Sequence, residues 1–204
     1  FAGREGNWHE AQGRHDYSMA PPHTILNTVA EAGIPVEGIG KIGDIFAQSG
    51  VTRDHRTGSN AETISTIERL WPEAHDVLVV ANFGDFDTLY GHRRNPAGFA
   101  RALESFDDWL ANFLEEADSD DLVIITADHG NDPTFPGSDH TREEVPVLVH
   151  YDGRTGPLGI RETFSDVAAT IAAFFGLDPR HPGGRLPGEP LLAFHRSKGF
   201  SGPH

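Results

Sequence analysis

An α/β layered fold with a largely parallel sheet is what the sequence predicts, on three observations. First, "DVLVVANF", "DLVIITADHG" and "VPVLVHY" are continuous apolar runs rich in Val and Ile, as expected of strands covered on both faces. Second, the segments between and around them repeat apolar residues every three or four positions, the period of a helix packed on a sheet. Third, Asp and His stand directly after two of the runs, where open sheets gather ligands.

Taken in order, residues 1–58 are rich in Gly, Pro and polar groups, with one short helical candidate in "PPHTILNTVAEAG" and a Gly-Lys pair in "GIGKIGDIF". Regular alternation begins at Ser59. "SNAETISTIERLW" places Ile64, Ile67 and Leu70 on one helical face, with Asn60 as the expected cap. The strand "DVLVVANF" follows. "NPAGFARALESFDDWLANFLEEA" then opens with Asn and Pro and repeats Phe99, Leu103, Phe106, Leu110 and Phe113 at helical spacing. "DLVIITADHG" is a second strand and "VPVLVHY" a third. "SDVAATIAAFFG" is a helix with Ser165 as expected cap and Gly176 as stop. The Pro/Gly-rich "DPRHPGGRLPGEP" reads as a surface tail.

At 204 residues, 37% of them hydrophobic, the chain can bury a sizeable core as one domain or a domain with an appendage. With no cysteine, a metal would be held by oxygen and imidazole, which favours a hard or borderline divalent ion. The net charge of −15 argues against general nucleic-acid binding. No run approaches the ~20 apolar residues of a membrane span, and "FAGREGNWHE" lacks the pattern of a secretory signal. These features predict a cytoplasmic protein with no membrane or nucleic-acid partner.

Asp85, Asp87 and His92 follow the first strand, Asp128 and His129 the second, and His140 lies in the loop beyond. Neighbouring strands would deliver these groups to one crevice. A single strand-end Asp is commonly a helix cap or turn former, and a single loop His is commonly solvated. Asp85 fits that plainer role, and His150 fits a structural one. His9, His15, His23, His55, His75, His181, His195 and His204 have no partner pattern and read as surface residues. Two Asp and three His at buried strand ends are another matter, because buried carboxylates are costly unless a cation compensates them.

The strings "DFDTLYGHRRN", "TADHGNDPTFPGSDHTREEVPVLV", "GKIGDIF" and "RETFSDVAATIAAFFG" closely resemble the C-terminal half of the phosphopentomutases, a family of the alkaline phosphatase superfamily. The resemblance runs through nearly the whole chain and includes "GNWHEAQGRHDYSMAPPHTILN". It implies an alkaline phosphatase-like core with part of a cap domain. Residues 1–58 are the expected C-terminal part of the cap, and residues 59–204 the C-terminal half of the core. It also implies two Mn²⁺ ions, Asp128 and His129 binding one, and Asp87, His92 and His140 the other. Asp139 then belongs to the loop rather than to the ligand set. Lys41 and Arg14 match residues that hold the sugar phosphate, although either could be a solvated surface cation; Lys41 and Lys198 are the only lysines. The implied reaction interconverts ribose or deoxyribose 1-phosphate and 5-phosphate through a phosphorylated Thr.

That Thr and one further Asp ligand belong to a part of the family's core that precedes the cap. The chain is therefore expected to begin inside the cap, to carry no catalytic nucleophile, and to be inactive alone, completed by an N-terminal segment or a second chain. Two other readings stand beside this one. A cofactor-independent phosphoglycerate mutase is disfavoured because "DFDTLYGHRRN" lacks that family's Asp-Met-Val-Gly-His string. A non-catalytic module that binds metal and sugar phosphate is favoured by the missing nucleophile.

Overall fold

The computed structural model describes residues 19–178 and 187–194, together with the backbone of four short strands outside them. Two of these, β1 (Ala2–Arg4) and β2 (Asn7–His9), pair antiparallel. Helix α1 (Ile25–Glu31) leads into β3 (Val36–Ile39), the short helix α2 (Ile42–Ile45) and β4 (Arg53–His55). Helix α3 (Asn60–Leu70) precedes β5 (Leu78–Ala81), and a π-helical turn, Phe86–Gly91, leads to α4 (Pro96–Glu116). Strands β6 (Val123–Thr126) and β7 (Val147–His150) and helix α5 (Ser165–Phe174) follow. The short strands β8 (Arg180–His181) and β9 (Gly184–Arg185) pair antiparallel.

The parallel sheet has the order β4-β3-β5, with β3 in the centre. All four β3 residues are buried, as a strand covered on both faces requires. Val36 joins Leu26, Val29, Ile34, Ile42 and Phe175 in one core, which α1 and α5 share. Ile39 joins Ile67 of α3 and Phe113 of α4 in the other. The result is a helix–sheet–helix sandwich, in which each fully buried aliphatic side chain contributes roughly 1.5–3 kcal/mol. β3 and β4 precede residue 59 and β5 follows it, so this one sheet draws strands from both sides of the expected domain boundary.

The third expected strand, β7, runs antiparallel to β6, with Ile124 opposite Val149. Among the described residues, β6 pairs only with β7, and β5 only with β3. No helix among them is long and apolar enough to cross a membrane.

Several local expectations are corrected by hydrogen bonding. Ser59, not Asn60, caps α3: its hydroxyl accepts from the Glu62 N–H at 3.2 Å, and the Glu62 carboxylate reaches back to the Gly58 N–H at 2.6 Å. Asn60 instead binds the strand-end loop, its own N–H donating to Asp85 Oδ2 and its side-chain oxygen accepting from the Asp85 N–H. Asp85 is thus a structural tie. Ser165 is the first residue of α5 rather than its cap, because Phe164 stands at that position and the Thr163 hydroxyl accepts from the Ser165 N–H. Asn95 does cap α4, accepting from the Gly98 N–H, and Gly176 does end α5 at φ 66°. Leu103 faces away from the core and is 49% exposed. His55 is not a bare surface residue: with Arg53 it pairs the buried carboxylate of Glu37, at 2.7 and 2.9 Å.

Candidate metal centre

Three segments build the site. Asp87 lies in the π-helical turn after β5, and His92 caps its far end. In an ordinary α-helix, residues five apart point about 140° away from each other at 3.6 residues per turn. Here the turn is widened, with the His92 N–H donating to the Asp87 carbonyl at 2.9 Å, and both side chains face one side. His92 Nε2 lies 3.4 Å from Asp87 Oδ2. Asp128 and His129 follow β6 directly, and a loop through Gly137 returns His140 to the same place.

Asp87, His129 and His140 each direct one ligand atom to a common locus, all within 4.8 Å of one another. His140 Nε2 is 3.3 Å from Asp87 Oδ1 and 3.1 Å from His92 Nε2. Its ring stacks on His129 with centroids 3.7 Å apart. Asp128 stands at the rim, 73% exposed, with Oδ1 3.7 Å from His129 Nε2. Asp87 and His140 of one expected ligand set and His129 of the other thus converge on one locus, while Asp128 stays at its rim.

The donor chemistry fits a divalent cation. His92 Nδ1 lies 2.5 Å from the Ser138 carbonyl, which can only accept, so this nitrogen carries the proton and Nε2 presents its lone pair to the cluster. The Gly130 carbonyl, 3.2 Å from His129 Nδ1, orients that ring likewise. Imidazole and carboxylate donors without thiolate suit a hard or borderline ion. The loop that carries His140 is itself braced. Asp132 accepts from the Thr134 N–H and hydroxyl, both at 2.7 Å, and these bonds hold its carboxyl below the usual range against the opposing effect of burial, with the nearby Arg94 charge a lesser contribution.

Lys41 stands at the cap position before α2 and lines a neighbouring open cleft with Gly40, Thr57, Ser59, Asn82 and Thr88. The cleft shares Gly84 and Asp85 with the loop leading to Asp87. Arg14 lies outside the described residues. Two residues that no sequence motif singles out sit against the cluster. Asn131 Nδ2 donates to Asp87 Oδ1 at 2.6 Å, and Arg94 donates to Asn131 Oδ1 at 2.8 Å. The double Arg of "GHRRN" was the available signal, but nothing in it distinguishes Arg94 from Arg93.

Phosphopentomutases are among the known proteins similar to this chain. That of Anaeromyxobacter dehalogenans strain 2CP-1 is 48% identical over 179 residues, 87% of this chain and 46% of the relative. That of Thermotoga petrophila is 46% identical over 188 residues, 90% of this chain and 48% of the relative. That of Pseudoalteromonas translucida is 48% identical over 167 residues, 80% of this chain and 41% of the relative. The chain spans about half the length of the curated relatives it matches. The family model described as the Metalloenzyme superfamily matches residues 11–179, which include every residue of the cluster. The chain belongs to the Metalloenzyme superfamily.

Proposed function

We propose that this chain is the metal-binding part of a phosphopentomutase that interconverts ribose or deoxyribose 1-phosphate and 5-phosphate. The observation that carries the reading is the convergence of Asp87, His129 and His140 within 4.8 Å, drawn from the ends of two different strands. The similarity to phosphopentomutases over most of the chain supports it.

In this reading Asp87, His92 and His140 hold one Mn²⁺, and Asp128 and His129 belong to a second. Two such ions, when bound, polarise phosphoryl oxygens and stabilise the attacking and leaving oxygens of an in-line transfer. The protein's own side chains orient and bind. The carbonyls of Ser138 and Gly130 fix the His92 and His129 rings so that their Nε2 atoms face the site. Lys41 binds the sugar phosphate in the adjoining cleft, next to the turn that carries Asp87. In this reading a phosphorylated Thr of the family's core gives its phosphate to the sugar phosphate, forming a bisphosphate that returns its other phosphate to the Thr, and neither ligand set supplies that nucleophile.

The test is an assay of the enzyme carrying this sequence, offered ribose 1-phosphate and 3-phosphoglycerate in parallel. Conversion of the first to ribose 5-phosphate, dependent on Mn²⁺ and abolished by Asp87→Asn, is expected. Turnover of 3-phosphoglycerate alone sinks the proposal. Lys41→Ala should raise KM for the sugar phosphate without weakening Mn²⁺ binding.

A further inference from the structure

Arg94 does not form an ordinary surface ion pair. Its guanidinium donates to the carbonyls of Gly91 at 3.0 Å, Asp132 at 3.0 Å, Gly137 at 2.5 Å and Asp139 at 2.6 Å, and to Asn131 Oδ1 at 2.8 Å. Each of these acceptors is neutral. They come from two segments far apart in sequence, the turn ending at His92 and the loop preceding His140. A guanidinium offers its donors in a rigid planar fork, so satisfying these acceptors fixes the two segments relative to one another. Arg94 adopts φ 49°, a backbone conformation uncommon for a side chain of its size.

The contact with Asn131 reaches further. Because Arg94 can only donate, the Asn131 atom facing it is the amide oxygen, and the NH₂ end turns to Asp87 Oδ1 at 2.6 Å. That bond orients the Asp87 carboxylate, with Oδ2 toward His92 Nε2 at 3.4 Å. Gly91 lets Asn131 pass: a Cβ there would lie 2.4 Å from Asn131 Nδ2.

We propose that Arg94 is a positioning residue for the metal centre, locking the His140 loop to the Asp87–His92 turn and setting the Asp87 carboxylate through Asn131. The proposal rests on the reading of Asp87, His92 and His140 as metal ligands. Residues that orient metal ligands change metal affinity by about 10- to 100-fold when lost.

The experiment titrates the 204-residue chain with Mn²⁺ by calorimetry and, separately, melts it in EDTA. The variants are Arg94→Ala, Arg94→Lys and Asn131→Ala, with Arg101→Ala, an exposed residue of α4, as control. Expected is a loss of Mn²⁺ affinity of about 10- to 100-fold in all three variants and none in the control. Arg94→Lys keeps the charge but not the fork, so it should not rescue binding. Arg94→Lys and Asn131→Ala should melt in EDTA close to the wild type, and they carry the test if Arg94→Ala does not fold. Wild-type affinity in Arg94→Lys and Asn131→Ala overturns the positioning role alone, as does a loss that merely follows a lower metal-free melting temperature. No Mn²⁺ binding by the wild-type chain overturns the metal reading and this role together.

Discussion

Asp87 is the side chain on which the candidate site turns, because it meets His92, His140 and Asn131 at once. Replacing it with Ala should abolish Mn²⁺ binding at that locus, as should His140→Ala, and calorimetry reads both. Gly91→Ala makes a sharper prediction. Its Cβ would fall 2.4 Å from Asn131 Nδ2 and 2.6 Å from Cγ, so the amide must leave Asp87. Overpacking of this kind costs about 1–3 kcal/mol, and it should lower both melting temperature and Mn²⁺ affinity. Asp128 and His129 stood out in the sequence because a carboxylate and an imidazole directly after an apolar strand are unusual, and the resemblance to the phosphopentomutases supplied the full set of five proposed ligands. Arg94 and Asn131 did not stand out, because Arg94 bonds main-chain carbonyls and an amide, which leave no mark on residue type, and Asn131 meets Asp87 only across 44 residues of chain.

Helix α5 is tied to the segment 187–194 by two side chains. Thr170, fully buried, donates to the Asp166 carbonyl at 2.6 Å and accepts from the Leu191 N–H at 2.9 Å. Thr170→Val leaves that buried N–H unpaired and should destabilise the chain by about 1–3 kcal/mol, read by denaturant unfolding. Asp166 accepts from the Glu189 N–H at 3.0 Å and from Arg161 Nε at 2.6 Å. The Glu189 bond first, and Arg161 second, hold its carboxyl below the ordinary 3.8 of an Asp. A carboxyl with a lowered folded-state pKa stabilises the fold fully above its unfolded value and loses that contribution as pH falls through the folded one. Melting temperature should therefore fall below about pH 4 more steeply in the wild type than in Asp166→Asn. At this scale the long amphipathic helix α4 and the strands β5, β6 and β7 were plain from periodicity. β3 and β4 were not: "VEGI" holds a Glu and a Gly, and "RDH" is wholly polar. Glu37 belongs in a buried strand only because Arg53 of β4 pairs its charge and His55 hydrogen-bonds its carboxylate across the ladder.

For the molecule as a whole, the proposed site, assembled from residues between 87 and 140, should couple metal binding to folding. Mn²⁺ held at 100 times its Kd should stabilise the native chain by about 2.7 kcal/mol. Differential scanning calorimetry should show the matching rise in melting temperature, and Asp87→Ala should remove it. By itself the sequence determined the α/β class, most of the helices, the three apolar strands β5, β6 and β7, and which carboxylates and imidazoles follow which strands. Apolar periodicity and strand-end chemistry are local properties, written in neighbouring residues. Only the tertiary structure decided that Ser59 and not Asn60 caps α3, that β7 turns back antiparallel on β6, and that Asp87, His129 and His140 converge on one locus. Each of these depends on a partner distant in the chain: Asp85 for Asn60, β6 for β7, and the Arg94 fork for the approach of His140 to Asp87. Hydrogen bonds between distant segments select one arrangement from several that local pattern allows equally.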